Sequence, residues 1–231
     1  MNTIKKYGMK RLSKTAFTLA EVLITLGIIG IVAAVTMPTL IQNYKKHVVE
    51  SKLKKFYTTM IQAQLMSVND NGPIEYWDWV QNGGTSNNEI LLNWYNKYFA
   101  PYLKTAEVID KKKLDENDIE LNDGIVVMFS DGSIAKFSSF SGGYMHINYY
   151  TDYKTFMNRT SFMGKDTFMF GISPKSYRCF EPYAGYDKLS TNTLKNNSWG
   201  GCYNPSSNRV YCAQLIHQNG WKIPDDYPYK F

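Results

Sequence analysis

The most constraining feature of this 231-residue chain is the stretch of residues 22–44, which carries no charged side chain. The apolar character begins at Phe17, and the twenty-one residues 17–37 would extend about 31 Å as an α-helix. That length is close to the roughly 30 Å thickness of the hydrocarbon core of a bilayer. We therefore predict that this segment crosses a membrane as a single helix.

The formal net charge of +6 is concentrated on both sides of this segment. Residues 1–16 contribute +5 without a single acid, Glu21 contributes −1, residues 45–55 contribute +4, and residues 56–231 contribute −2. Because most of the chain is slightly acidic, we expect no basic face for nucleic acid. The positive leader favours a cytoplasmic N-terminus, which would place the chain beyond Tyr44 outside the cytoplasm.

A secretory signal peptide and a plain membrane anchor are two simpler interpretations of the segment. The apolar region of a signal peptide is about 7–15 residues long and precedes a small-x-small cleavage site. Here the apolar run is longer, and the candidate site at residues 34–36 is poor. A plain anchor leaves Glu21 unexplained, because an acid near the start of a membrane helix costs on the order of 2.5–3.5 kcal/mol and should have a partner.

The residues around Glu21 form a specific pattern, in which a short basic leader and a small residue precede the letters FTLAE. This pattern resembles the class III signal of type IV prepilins and type II secretion pseudopilins. The resemblance implies that a prepilin peptidase cleaves between Ala16 and Phe17 and that the new amine of Phe17 is N-methylated. It also implies that Glu21 pairs with such an amine on a neighbouring subunit. Ala16 stands where these signals usually have glycine, so we expect slower cleavage.

Pro38 extends the resemblance, because type IV pilins have a proline at the same distance, the twenty-second residue counted from Phe17. Proline inside a helix removes a hydrogen bond and clashes with the preceding turn, so we expect a kink or local melting there. Apolar residues at i+3 and i+4 spacing continue the helix beyond the membrane. The predicted organisation is a basic leader (1–16), a transmembrane and assembly helix (17–41), its amphipathic continuation (42–68) and an extracytoplasmic globular head (69–231).

The predicted fold class is α+β, with the long N-terminal helix packed on a C-terminal globular domain that contains a small antiparallel sheet, as in pilins. The patterns predict a helix near 88–99, a β-hairpin of residues 124–129 and 133–137, strands at 144–150 and 167–172, and a short helix ending at Gly220. The hairpin would turn at Asp131-Gly132.

The three cysteines Cys179, Cys202 and Cys212 would lie outside the cytoplasm, where disulfides persist. They leave three single pairings open. We favour Cys202–Cys212, because residues 204–207 form a good turn between them and pilin-like proteins often close a C-terminal loop in this way.

Sequence motifs give no support for catalysis or for a cofactor. His47, His146 and His217 lie outside any nucleophile elbow, phosphate-binding loop or zinc motif. Some pseudopilins bind calcium in a loop near their sheet, and residues 148–166 contain oxygen-bearing side chains. Their spacing is loose and three cations intervene, which favours a turn network over a calcium site.

These observations lead to one main hypothesis and one alternative. The chain is predicted to be a pilin-like structural subunit of a type IV pilus or a type II secretion pseudopilus, held in the bacterial inner membrane before assembly. The implied partners are a prepilin peptidase, other pilin or pseudopilin subunits, and an inner-membrane assembly platform. The alternative is a membrane-tethered extracytoplasmic adhesin or binding protein that does not enter a filament.

Overall fold

The computed structural model describes residues 17–80, 88–104, 106–109, 114, 124–139, 143–174 and 180–231. The leader with Ala16, and Cys179, lie outside the described residues. The chain divides into two compact units, with the boundary between Asn43 and Tyr44.

The first element is a single helix of 53 residues, α1 (Leu19–Asn71). In the second unit its buried side chains recur every three or four residues, at Val49, Leu53, Phe56, Met60 and Ala63. This spacing places them on one face of the helix, as the sequence predicts. The helix ends before Gly72, whose φ of +80° suits glycine, and before Pro73, which cannot continue a helix.

The described residues of the second unit form a six-stranded antiparallel sheet in which strand order follows chain order. The strands are β1 (Ala106–Val108), β2 (Ile125–Phe129), β3 (Ile134–Ser139), β4 (Met145–Tyr150), β5 (Thr167–Ile172) and β6 (Phe180–Pro182). The four predicted strands correspond to β2–β5. The two short edge strands, β1 and β6, had not been predicted. The long helix packed on an antiparallel sheet confirms the predicted α+β fold class.

The β2–β3 hairpin turns at Asp131 and Gly132, as predicted. The Gly132 N–H donates to the Phe129 carbonyl at 2.9 Å, and Gly132 has a φ of +75°. The Asp131 carboxylate accepts hydrogen bonds from the N–H and the hydroxyl of Ser133 at 3.1 and 2.6 Å. Local side-chain chemistry therefore sets the turn that fixes the register of the hairpin.

Phe56 of α1 is the centre of the core between helix and sheet. Its ring stacks on Tyr149 at 4.2 Å and meets Phe129, Phe170 and Phe180 edge-on at 5.1–5.7 Å. A second, smaller cluster contains Ile109, Leu114, Val126, Ile134 and Phe156. Because Val126 and Val127 point to opposite faces of the sheet and belong to different clusters, both faces of the sheet bury apolar side chains.

Four shorter helices complete the described part of the second unit: α2 (Asn88–Tyr98), α3 (Tyr153–Met157), α4 (Thr191–Asn196) and α5 (Cys212–Gln218). Helix α2 matches the prediction for residues 88–99. Helix α5 ends two residues before Gly220, close to the predicted end.

Candidate functional site

The N-terminus of α1 is held by a reciprocal pair of hydrogen bonds between Thr18 and Glu21. The Thr18 N–H and hydroxyl both donate to Glu21 Oε2 at 2.8 Å, and the Glu21 N–H lies 3.3 Å from the Thr18 hydroxyl oxygen. This arrangement is a capping box, in which each side chain satisfies a backbone N–H of the first helical turn. Phe17, the residue that the proposed cleavage would expose, precedes the box and is 85% exposed.

The pilin-like pattern predicts an assembly role for Glu21 but gives no indication of its local partner Thr18. The spacing Thr-x-x-Glu directly before an apolar run is the sequence signature of a capping box and would have revealed it. Glu21 therefore has a local role at the helix start in addition to the role predicted from the resemblance. The predicted cleavage itself involves Ala16, which lies outside the described residues.

The first unit exposes apolar side chains all around α1. Fourteen large ones in residues 17–41 are exposed, from Phe17 and Leu19 to Leu40 and Ile41. Among the described residues, α1 is the one helix long and apolar enough to cross a membrane, with a mean hydropathy of 2.3 over its most apolar 18 residues. A helix that is apolar on every side requires a lipid or protein environment around it.

Pro38 lies within α1, and the helix is continuous through it. The local melting that we had considered at this position is therefore not observed. A kink at Pro38 stays a prediction.

Cys202 and Cys212 form a disulfide with a Cα–Cα distance of 4.8 Å, which confirms the favoured pairing. Both cysteines are buried, and two tyrosines of residues 219–231, which we call the C-terminal segment, lie against Cys202. The Tyr229 hydroxyl donates to the Cys202 carbonyl at 2.7 Å. The Tyr227 hydroxyl lies 3.4 Å from Cys202 Sγ and donates to the Gly164 carbonyl. Tyr229 thus connects the C-terminal segment to the disulfide, and Tyr227 connects it to the loop before β5.

Glu50 is a buried acid on α1 that the sequence analysis did not single out. Its Oε1 accepts the Ile223 N–H at 2.9 Å, and its Oε2 lies 3.0 Å from both Lys222 Nζ and His47 Nδ1. Burial acts to raise the pKa of Glu50, but the hydrogen bonds from Ile223, Lys222 and His47 outweigh it and lower the pKa. Glu50 therefore attaches the C-terminal segment to the long helix as a carboxylate.

A groove of about 400 Å³, which we call the Tyr44 groove, opens beside the first residues of the second unit. Its apolar wall is formed by Tyr44, Val48, Val49 and Phe231. Tyr44 is 68% exposed, whereas Val49 belongs to the core. The groove thus joins the surface of α1 to the C-terminal segment within one unit.

Charged groups of both signs complete the Tyr44 groove: Lys45, Lys52, Lys165, Asp152 and Asp166. Lys52 Nζ donates to the Thr151 carbonyl at 2.5 Å. Burial and the nearby carboxylate of Asp152 raise the pKa of Asp166. The hydrogen bond from the Phe162 N–H and the positive charge of Lys165 lower this pKa. The pKa of Asp166 is raised overall, because the hydrogen bond and the charge of Lys165 do not fully compensate the cost of burying the carboxylate.

Two of the oxygen-bearing residues considered for calcium, Asp152 and Asp166, accept local hydrogen bonds through their side chains. Asp152 caps α3 by accepting from the N–H and hydroxyl of Thr155 at 2.8 and 2.5 Å. Asp166 accepts from the Phe162 N–H at 2.5 Å. Asn158 is the C-cap of α3. In the described ranges, no group of three or more His, Cys, Asp or Glu side chains is placed to hold a metal ion.

Comparison with known proteins assigns a family to most of the chain but no activity. No curated protein matches the chain significantly, and no solved structure does so either. The model of a family of unknown function, DUF6613, matches residues 39–231. This match includes the entire second unit and starts one residue after Pro38. The chain therefore belongs to the family of unknown function DUF6613.

Proposed function

We propose that this chain is a pilin-like structural subunit of a type IV pilus or a type II secretion pseudopilus. The observation that carries the proposal is the apolar start of α1, which follows the FTLAE pattern and exposes fourteen large apolar side chains. In this proposal the segment lies in the inner membrane before assembly and in the filament core afterwards. The chain has a structural role and no catalytic one.

The energetics support a segment that needs a surrounding apolar environment. Burying one large aliphatic or aromatic side chain contributes about 1.5–3 kcal/mol, so fourteen of them contribute more than roughly 20 kcal/mol. The acid at Glu21 costs on the order of 2.5–3.5 kcal/mol in a membrane helix. Insertion therefore remains strongly favourable with Glu21 present, and stability in the membrane does not require this acid.

The capping box gives Glu21 a plausible state before assembly. Thr18 supplies two hydrogen bonds to one carboxylate oxygen, which lowers the cost of holding the acid near the membrane. Cleavage after Ala16 would create a positive amine on Phe17 of each subunit. A neighbouring subunit's amine would then form a charge pair with Glu21 that the isolated subunit lacks, so the pair would favour assembly over the free subunit.

Two variants of Glu21 test this role and separate charge from capping. Glu21→Gln keeps an oxygen that can accept the Thr18 N–H but carries no charge, whereas Glu21→Ala removes both. We expect both variants to insert in the membrane at wild-type levels and to be absent from filaments sheared from cells. Immunoblots of membrane and sheared fractions measure this, with the exposed Glu75→Gln as control. Wild-type incorporation of Glu21→Gln would refute the charge-pair role.

The alternative, a membrane-tethered binding protein, has one specific observation in its favour. Trp199 is half-exposed and lies 5.9 Å from the rings of both Tyr183 and Tyr211, which forms a partly exposed aromatic surface. Such a surface suits contact with a ligand or another protein. The two proposals differ at the N-terminus, since a tethered protein outside filaments does not require an amine at Phe17.

A further inference from the structure

The Tyr44 groove combines features that point to a zwitterionic ligand. It has an apolar wall, three lysines and two carboxylates within about 400 Å³. A simple anion would be repelled by Asp152 and Asp166, and a simple cation would be repelled by the lysines. A ligand with both charges and an adjoining apolar part complements all three features.

The cations of the groove are available to an anionic group. Lys45 is exposed and has no ion-pair partner among the described residues. Lys52 donates to the Thr151 and Asp131 carbonyls, at 2.5 and 3.4 Å, and retains one N–H donor. Lys165 is half-buried at the same groove. These groups can donate to the oxygens of a phosphodiester.

The carboxylates can accept a primary ammonium group. Both recorded hydrogen bonds of the Asp166 side chain use Oδ1, which leaves Oδ2 as an acceptor within the described surroundings. Asp152 is held in place by Thr155 and has remaining lone pairs. A cationic ligand beside Asp166 would supply the compensation that this half-buried acid lacks.

We propose that the Tyr44 groove binds the phosphoethanolamine headgroup of a membrane phospholipid. The phosphodiester contacts the lysines, the ammonium group contacts Asp152 and Asp166, and the glycerol and upper acyl carbons lie on Tyr44, Val48 and Phe231. The proposal rests on the membrane placement in the proposed function. Tyr44 is the last residue of the uncharged stretch and Lys45 is the first charge after it, so the groove begins where the sequence leaves the apolar core.

The choice of headgroup follows from its hydrogen-bonding chemistry. A primary ammonium group has three N–H donors for carboxylate oxygens, whereas the quaternary ammonium group of choline has none. A phosphoglycerol headgroup carries only the negative charge and leaves both carboxylates uncompensated. The groove should therefore prefer phosphoethanolamine to either of these headgroups.

Lipid binding can be measured by native mass spectrometry of the processed full chain in detergent micelles. Phosphatidylethanolamine, phosphatidylcholine and phosphatidylglycerol with identical acyl chains are added separately. We expect phosphatidylethanolamine to bind about fivefold more tightly than phosphatidylcholine, the size expected for one partly exposed ion pair. Lys45→Gln should weaken the binding of all three lipids, which share the phosphodiester, and Asp166→Asn should remove the preference for phosphatidylethanolamine. Lys54→Gln, which changes an exposed lysine of α1 outside the groove, should retain it.

Three results would overturn the proposal. They are equal binding of the three lipids, wild-type affinity of Lys45→Gln for all three lipids, and equal occupancy by soluble glycerophosphoethanolamine, which would exclude a membrane source. Lys45 has no ion-pair partner among the described residues, so its variant should fold even if Asp166→Asn does not. Because the lipid assay uses purified subunits, its result is independent of filament incorporation. A subunit without lipid selectivity can still enter filaments, and a subunit that is absent from filaments can still show lipid selectivity.

Discussion

Replacing Glu50 provides a direct test of how the C-terminal segment is held on the long helix. Glu50→Ala removes the acceptor of the Ile223 N–H, and Ile223 is buried with 3% exposure. An orphaned buried N–H costs about 1–3 kcal/mol. Loss of one buried methylene adds about 0.8 kcal/mol. We therefore expect Glu50→Ala to lower the free energy of unfolding by about 2–4 kcal/mol.

Glu50→Gln separates the hydrogen bond from the charge. The amide oxygen can still accept the Ile223 N–H, and only the interactions with Lys222 and His47 weaken. Their side chains are 65% and 66% exposed and regain water, so the expected loss is about 1 kcal/mol. For a domain of this size, these losses correspond to thermal unfolding midpoints about 10 °C lower for Glu50→Ala and about 3 °C lower for Glu50→Gln.

Thermal unfolding of the full chain in detergent, followed by tryptophan fluorescence, measures both variants, with Glu75→Ala as an exposed control. The folded pKa of Glu50 is lowered, so the stability that its charge contributes is present above the unfolded pKa and is lost as pH falls through the folded pKa. The difference between wild type and Glu50→Gln should therefore vanish in acid, below the usual carboxyl range. Equal losses for the two variants at neutral pH would refute the assigned hydrogen-bonding role.

Two further predictions concern the region around the disulfide. Replacing both Cys202 and Cys212 by serine should lower the free energy of unfolding by about 3 kcal/mol. This is the loop-closure contribution expected for a separation of ten residues. A urea titration that shows no change in the free energy of unfolding would contradict this prediction. Gly164→Ala should cost about 2–5 kcal/mol, because φ is +90° and a Cβ would lie 2.6 Å from Cys212 Sγ. Gly72 has a similar φ of +80°, but a Cβ there would meet open space, so Gly72→Ala should cost only about 1–2 kcal/mol. Equal costs for Gly164→Ala and Gly72→Ala would show that the close contact with Cys212 Sγ is unimportant.

The elements that sequence predicted well have strong local patterns. Helix α1 has sustained apolar periodicity, and the β2–β3 hairpin has Asp131 and Gly132 between two apolar runs. The pairing of Cys202 with Cys212 followed from the turn between them together with the pilin resemblance, and the structure contains it. In each case residues close in sequence supply most of the information.

The features that were missed depend on contacts between distant parts of the chain. Strand β6 contains Pro182, which weakens any local strand pattern, and it forms because Phe180 pairs with Ile172 of β5. Glu50 looks like one more charge in a lysine-rich stretch, and its role emerges only when Ile223, distant in sequence, reaches it. The Tyr44 groove likewise joins α1 with residues 151–166 and Phe231. Periodicity within one element cannot reveal such sites.

If this chain is processed and assembled as a pilin-like subunit, the mass of its mature N-terminal peptide will show the cleavage and the methylation. The peptide is isolated from membrane and filament fractions of cells that produce the full chain and is identified by tandem mass spectrometry. We expect a peptide that starts at Phe17 and carries one N-methyl group in both fractions. An intact leader, or an N-terminus created by cleavage after Thr36, would contradict it.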